Sequence, residues 1–516
     1  MQKFFHKLKD RTGREESECP DPCLPPSVRD IFCYRKQRGV NLAGSWFVLE
    51  RWITDEPFNE AQAVSPSQSD LDVAKGNRAK EALERHWDTW INDEDWLEMS
   101  KRGINAVRIP IGYYHICGVD PVVLEGTDFQ PFFEIYRGAW SRITHAIQTA
   151  ANHGMGVLID LHAAPGKQNN DSHAGTSDKA NFFGDPHNQR CTVRALSSLL
   201  KHLNEFAKSC DPVLCNIIGI ELLNEPNPPS DKSLQQWYLD AIKHLRAIDP
   251  TIPIYLGECW RTEAYAEWLA HHPSPLNALT VLDHHLYRCF TSSDTQTRAE
   301  DHARALVDPS AATPRILESV SEKVGRAGGG VVIGEWSGAL NPASLRGGTD
   351  EQNNFIAAQL GLFERSCAGW FFWTYKKQWK GDTGWSWKDA TERGVFPPFV
   401  GIKRHDVGSE DEERRKVAKN AAKDKALAAH TQYWSRHPGN YNHAFFEAGF
   451  VRGWDDAYAF FSSTPSTSVS VNQLGFARAW ARRKAATTYD GKHYWEFETG
   501  FLQAVDEAAS DYKSHV

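Results

Sequence analysis

Short apolar runs that stop at polar residues recur along this chain. Ile217-Ile-Gly-Ile-Glu-Leu-Leu is rich in β-branched side chains and ends at Asn224-Glu225-Pro226. Such a run has the length of a strand buried on both faces, and Pro226, Pro228 and Pro229 cannot extend a ladder. Val331-Val-Ile-Gly ends in the same way at Glu335-Trp336. Comparable runs occupy 38–42, 105–111, 156–162, 253–257, 278–285 and 369–373. Between them, apolar residues recur at three- and four-residue steps. In 80–102 these are Leu83, Trp87, Trp90, Ile91 and Leu97, with Gly103 as the stop; further helices are predicted over 133–153, 190–209, 232–248, 314–326 and 351–366. Eight buried strands alternating with helices predict an α/β chain closed into a (β/α)8 TIM barrel. A doubly wound open sheet is the competitor, but no Gly-x-Gly-x-x-Gly loop follows any run.

The barrel is assigned to residues 31–407. Residues 1–30, with Pro20, Pro22, Pro25 and Pro26, read as a polar arm, and 59–78 as a loop insertion. From 408 to 516 the pattern changes to a helical extension. Its first part, Glu410 to Ala429, is charged and rich in alanine, as on a solvent-facing helix. Beyond it Glu447-Ala-Gly449-Phe450, Gln473-Leu-Gly475-Phe476 and Glu498-Thr-Gly500-Phe501 repeat at nearly equal spacing. This predicts three amphipathic helices whose glycines permit close approach, serving stability rather than binding.

Composition narrows the function. A net charge of −8 gives no reason to expect a nucleic-acid partner, and no apolar run is long enough to span a membrane. The N-terminal stretch MQKFFHKLKDRTGREESE has no apolar core of a secretory signal. The expectation is a cytoplasmic protein, with export to the cell wall or medium by an unconventional route as the alternative. The ten cysteines form no metal-ligand pattern, and Cys19 and Cys23 are expected as free thiols unless exposed to an oxidant. No cofactor and no metal are expected. The 19 Trp suit core packing, and equally a cleft that stacks on sugar faces.

In a parallel barrel the strand ends converge on one mouth. Arg108, His162, Asn224, Glu225, His285, Tyr287 and Glu335 would meet there, with Trp373 beside them. Two carboxylates in a cleft lined by Trp and Tyr fit glycoside hydrolysis, in which one acid protonates the leaving oxygen and the other attacks or stabilises an oxocarbenium-like centre. Glu225 suits the proton donor with a raised pKa, and Glu335 the nucleophile kept ionised by Arg108 and Tyr287. His162 and His285 also fit satisfied core histidines, Arg108 a structural partner of Glu335, and Trp373 plain packing.

Eight stretches carry a resemblance: RGVNLAGSWFVLER (38–51), ALERHWDTWINDEDW (82–96), GINAVRIPIGYY (103–114), IDLHAAPGKQN (159–169), IGIELLNEP (218–226), DHHLYRCF (283–290), IGEWSGAL (333–340) and GWFFWT (369–374). In this order they resemble glycoside hydrolase family 5, and within it the fungal exo-β-1,3-glucanases. The resemblance implies a retaining two-glutamate mechanism, Glu225 the acid/base and Glu335 the nucleophile, acting on β-glucan or another β-glucoside. It implies that Arg108, His162, Asn224, His285, Tyr287 and Trp373 line the subsite for the terminal sugar, with Asn224 on its 2-hydroxyl. Glu50 would hold the terminal glucose and block the pocket, and Phe290 would be one wall of an aromatic clamp. The chain departs from the pattern at Asn169-Asn170-Asp171, where an aromatic clamp wall is expected, and at Gly257-Glu258-Cys259-Trp260. A glycolipid, a flavonoid glycoside or endo action on glucan stays open.

Overall fold

Eight parallel strands hydrogen-bond in chain order into a closed barrel. They are β1 (Gln37–Asn41), β2 (Ala106–Gly112), β3 (Gly156–Ala163) and β4 (Ile217–Glu221), then β5 (Ile254–Gly257), β6 (Thr280–Arg288), β7 (Gly329–Leu340) and β8 (Gly369–Phe372). This computed structural model describes residues 24–42, 46–404, 411–463, 468–485 and 491–515. Cys19 and Cys23 lie outside them. All strands except the C-terminal half of β6 are buried throughout, which is why their sequences read as nearly continuous apolar runs. Register sets the mouth: Asn41 pairs with Arg108, Asp160 with Glu221, and His285 with Glu335. Among the described residues no helix is long and apolar enough to cross a membrane.

Several predicted segments divide differently. The 80–102 periodicity is two helices, Ala79–Thr89 and Asp93–Lys101, because the Asn92 side chain accepts from Asp95 N and starts a new one. The 133–153 segment breaks at Gly138 into Phe133–Tyr136 and Ala139–Asn152. The expected loop at 59–78 contains the end of helix Glu56–Ala61 and the whole of Asp70–Ala74, the latter opened by a Ser69/Asp72 capping box. The polar arm ends in a helix, Val28–Tyr34, started by a Ser27/Asp30 box.

The extension comprises helices Asp411–Trp434, His443–Ser462, Ala477–Ala485 and Tyr494–Ser514. Two of the three repeated glycine motifs are helical. The second is not: Leu474 bridges antiparallel to Arg35, and the N–H groups of Gly475 and Phe476 donate to Tyr34 O at 2.9 and 3.0 Å, so the backbone bonds that a helix would need are taken by the end of the helix Val28–Tyr34. A helix begins only at Ala477. Gly475 is required there, since a Cβ would stand 2.5 Å from Lys36 Cα.

This segment closes the barrel's lower end. Tyr255, Val281, Val332 and Phe371 from the strands share one apolar cluster with Phe476, Trp480, Phe497 and Phe501 of the extension and Ile31 and Tyr34 of the first helix. Helices 443–462 and 494–514 touch backbone to backbone, and a Cβ on Gly449, Gly453 or Gly500 would lie 2.1–2.3 Å from a carbonyl oxygen of the facing helix. Gly453→Ala is therefore expected to destabilise the chain by about 1–3 kcal/mol through overpacking. Because the extension shares its core with the strands, guanidinium denaturation should show the barrel unfolding earlier as well. A barrel transition left at its wild-type midpoint would mean that the two parts do not share a core.

Candidate active site

The upper mouth of the barrel opens into a cleft of about 920 Å³ lined by Glu50, His162, Glu225, His285, Tyr287, Phe290, Glu335 and Trp373. That volume suits a ligand of one or two sugar rings. Eight of the ten residues singled out from the sequence thus face one space. Arg108 and Asn224 are fully buried and stand directly beneath it.

Glu225 follows the end of β4 with φ +41°, a left-handed conformation that costs about 1–3 kcal/mol for a non-glycine residue. The loop after β3 holds it there. Gln168 Nε2 donates to Asn224 O at 3.1 Å and to His162 O at 2.7 Å, and Asn169 Nδ2 donates to Glu225 O at 3.0 Å. The polar segment Gln168-Asn169 thus positions the carboxylate of another strand.

Glu335 is held from two sides. Arg108 Nη1 donates to its Oε1 at 3.0 Å and the Tyr287 hydroxyl to its Oε2 at 2.8 Å. His285 Nδ1 lies 2.7 Å from Glu225 Oε1 and 3.4 Å from Glu335 Oε2. An oxygen of each glutamate and this imidazole all fall within 4.8 Å of one another. The two carboxylates therefore face one another across a gap of single-ring size.

Arg108 ties the floor together. Its Nε donates to Glu221 at 2.8 Å, Nη1 also to Asn41 Oδ1 at 3.0 Å, and Nη2 to Asn224 Oδ1 at 2.9 Å, with Asp160 Oδ2 at 3.0 Å. Asp160 also binds His162 Nδ1 at 2.6 Å, and His162 Nε2 meets His173 Nδ1 at 2.9 Å. His162 stacks parallel to Trp373, centroids 5.7 Å apart. The sequence reading passed over Asp160, Glu221, Asp283 and His173. Two of these had a signal: Asp160/His162 and Asp283/His285/Tyr287 alternate, so each set shares the inward face of its strand.

The protonation pattern differs from the expectation of a raised Glu225. Burial alone would raise it, but the hydrogen bond and charge of His285 outweigh burial, and Glu225 lies below its ordinary value. Burial instead pushes Glu335 up to about 7, against the pull of His285 and Arg108. Burial works against a charge on His285, yet Glu335, Glu225 and Asp283 hold it up to about 10. The three groups titrate as one unit around an imidazolium. On the cleft wall, burial raises Glu50; its Oε2 accepts from Trp52 Nε1 at 2.5 Å while its Oε1 is buried without a hydrogen-bond partner among the described residues.

The rim is aromatic. Trp385 lies 5.2 Å from Trp52, 5.4 Å from Tyr287 and 5.9 Å from Phe290 between centroids. Trp260, at φ +56° and 59% exposed, lines the same cleft, where its Nε1 donates to His285 O at 3.1 Å. Asp171, on the loop where a clamp aromatic was missed, is also at the cleft surface.

Comparison with known proteins adds to this geometry. The family model described as Cellulase (glycosyl hydrolase family 5) matches residues 73–378, and one described as Glucan 1,3-beta-glucosidase 3 C-terminal domain matches 415–511. Glucan 1,3-beta-glucosidase 3 of Schizosaccharomyces pombe is 31% identical over 493 residues, covering 92% of this chain and 96% of that protein. A probable glucan 1,3-beta-glucosidase of Arthroderma benhamiae is 28% identical over 404 residues, covering 70% of this chain and 89% of its own. Among solved structures, rutinosidase from Aspergillus niger superposes with a TM-score of 0.57 at 17% identity, over 70% of this chain and 98% of that one, a likeness of fold.

Tyr287→Phe should move the Glu335 titration further up from about 7, by about one pH unit, because a donor to the ionised form is lost. Carbon-13 NMR of labelled glutamate side chains reads this directly. A downward or absent shift would show that the hydroxyl does not support the carboxylate.

Proposed function

The chain belongs to glycosyl hydrolase family 5, and on that premise we propose that it is a retaining β-glucosidase releasing glucose from the non-reducing end of β-1,3-glucan and its oligosaccharides. The observation that carries this reading is the approach of Glu225 and Glu335 oxygens to within 4.8 Å around His285. Retaining glycosidases keep their carboxyl groups roughly 5–5.5 Å apart, whereas inversion needs about 6.5–9.5 Å to admit a water. The Schizosaccharomyces pombe relative that covers 92% of this chain is named Glucan 1,3-beta-glucosidase 3, as is the family model that matches the extension, which supports the substrate.

In the first step the Glu335 carboxylate attacks the anomeric carbon while the proton on Glu225 goes to the departing glycosidic oxygen. The C–O bond breaks and a glycosyl ester forms on Glu335. In the second, Glu225, now a carboxylate, takes a proton from water, whose oxygen attacks the same carbon from the opposite face. The ester bond breaks, Glu335 leaves as carboxylate, and the product keeps the β configuration. The reactive form has the shared proton on Glu225 and an ionised Glu335 fixed by Arg108 and Tyr287. The unpartnered Glu50 Oε1 is suited to accept from hydroxyls of the terminal glucose, which supports exo action. Asn224, His162, His285 and Trp373 complete this subsite in the proposal.

One observation favours a second aglycone class. Phe290 is 70% exposed and Trp260 59%, a broad apolar rim that would also receive a flat leaving group such as a flavonoid or sterol. The eight cysteines of the described residues are free thiols, which supports the cytoplasmic reading.

Proton NMR of laminari-oligosaccharide hydrolysis is expected to show β-glucose first; initial α-glucose would overturn retention. Glu335→Gln should lower kcat by at least about a thousandfold with the fold intact. Rates on a panel of β-1,3-, β-1,4- and aryl-glucosides decide between the substrate classes, and preference for a steryl or flavonoid glucoside over laminaritriose would establish the second.

A further inference from the structure

Far from the cleft, on the extension, three histidines converge on one buried carboxylate. Glu496 is completely buried at the start of helix 494–514. Its Oε2 lies 3.1 Å from His430 Nε2, on helix 411–434, and 2.9 Å from His443 Nδ1, the first residue of helix 443–462. Its Oε1 lies 3.5 Å from Nδ1 of His493, the residue that caps the same helix. We propose that His430, His443 and Glu496 form a structural site for a divalent cation of the zinc class, with His493 beside it.

The donor set decides the class of ion. Two imidazole nitrogens and one carboxylate oxygen suit zinc and its late first-row neighbours, the fourth position being left to water, whereas calcium and magnesium take oxygen ligands. The geometry fits as well. A tetrahedron with bonds of 2.0–2.1 Å has edges of about 3.3–3.4 Å, and Glu496 Oε2 lies 2.9 Å from His443 Nδ1 and 3.1 Å from His430 Nε2. The donor atoms of His430, His443 and Glu496 all fall within 4.8 Å of one another. His493 Nδ1 faces the other oxygen of this carboxylate at 3.5 Å and makes no hydrogen bond among the described residues, a further nitrogen available beside the site.

The surroundings hold these groups in place. His430 stacks on Phe446 with centroids 4.1 Å apart and an interplanar angle of 19°. The Asn442 amide donates to Glu496 Oε1 at 2.7 Å, orienting the carboxylate from behind as second-layer donors do at metal sites. His443 and His493 side chains keep 27% and 15% exposure, which leaves an entry path. An ion here would join the end of one helix to the beginnings of two others. Each imidazole would bind as the neutral ring, its proton on the nitrogen away from the ion, so affinity falls as pH falls.

The full-length chain, stripped with a chelator and dialysed, should take up one equivalent of Zn2+ by calorimetry. Its Tm should rise with Zn2+ and not with Mg2+ or Ca2+. His430→Ala and His443→Ala should each weaken binding at least about tenfold while leaving glucoside hydrolysis unchanged, which doubles as a check on folding. Glu335→Gln should bind Zn2+ like the wild type. Absence of uptake would show that the imidazoles only donate hydrogen bonds to Glu496. Uptake unchanged in both histidine variants, or lost in Glu335→Gln, would place the ion elsewhere and overturn the proposal.

Discussion

One guanidinium holds the catalytic end of this barrel in register. Arg108 is wholly buried, and its nitrogens reach Asn41 of β1, Asp160 of β3, Glu221 and Asn224 at the end of β4, and Glu335 of β7, with Asp283 of β6 at 4.0 Å. Burial works against its charge, and the surrounding carboxylates more than offset that, holding Arg108 above its ordinary value. A slip of one residue on any of these strands would turn its inward set outward and leave a buried charge without a partner, at a cost of about 3–5 kcal/mol. The same contacts that fix register also aim Glu335 at the cleft, so stability and chemistry share a single interaction here.

The placement of protons follows from the same crowding. Burial raises Asp160 and Asp283 well above the carboxylate range. The charges of Arg108 on both groups and of His285 on Asp283 work against that rise. His285 is the pivot, because its Nδ1 lies close to both Glu225 and Glu335. A sugar ring in the cleft would change the solvation of both carboxylates together, and coupled groups redistribute a proton readily under such a change.

The barrel was legible because a buried parallel strand announces itself by an unbroken apolar run, and Glu225 and Glu335 because each ends one. Asp160, Glu221 and Asp283 were passed over for the opposite reason: each lies inside a run, and the Arg108 they share comes from a different strand. Trp52, His173 and Trp385 sit on loops, where no periodicity reports which way a side chain points. The Gly475 motif misled because its hydrogen bonds go to Tyr34, a residue distant in sequence that periodicity cannot see. The 80–102 helix was divided by Asn92, whose capping is a local signal that the wider apolar pattern masked.

The lower end of the barrel joins the two extremes of the described chain. Arg35 Nη1 donates to Asn472 Oδ1, a contact spanning 437 positions, and Lys36 N donates to Gln473 O. Because a ribosome releases the chain from its N-terminal side, the first helix and β1 are made long before the residues that cover the floor beneath them. Tyr255, Val281 and Phe371 stay uncovered until Phe476 and Trp480 emerge. The cylinder can thus close its hydrogen-bond circuit during synthesis, but it becomes watertight only once Phe476 and Trp480 have been made. In that interval the nascent floor leaves apolar surface open to water, the condition under which unfinished chains aggregate.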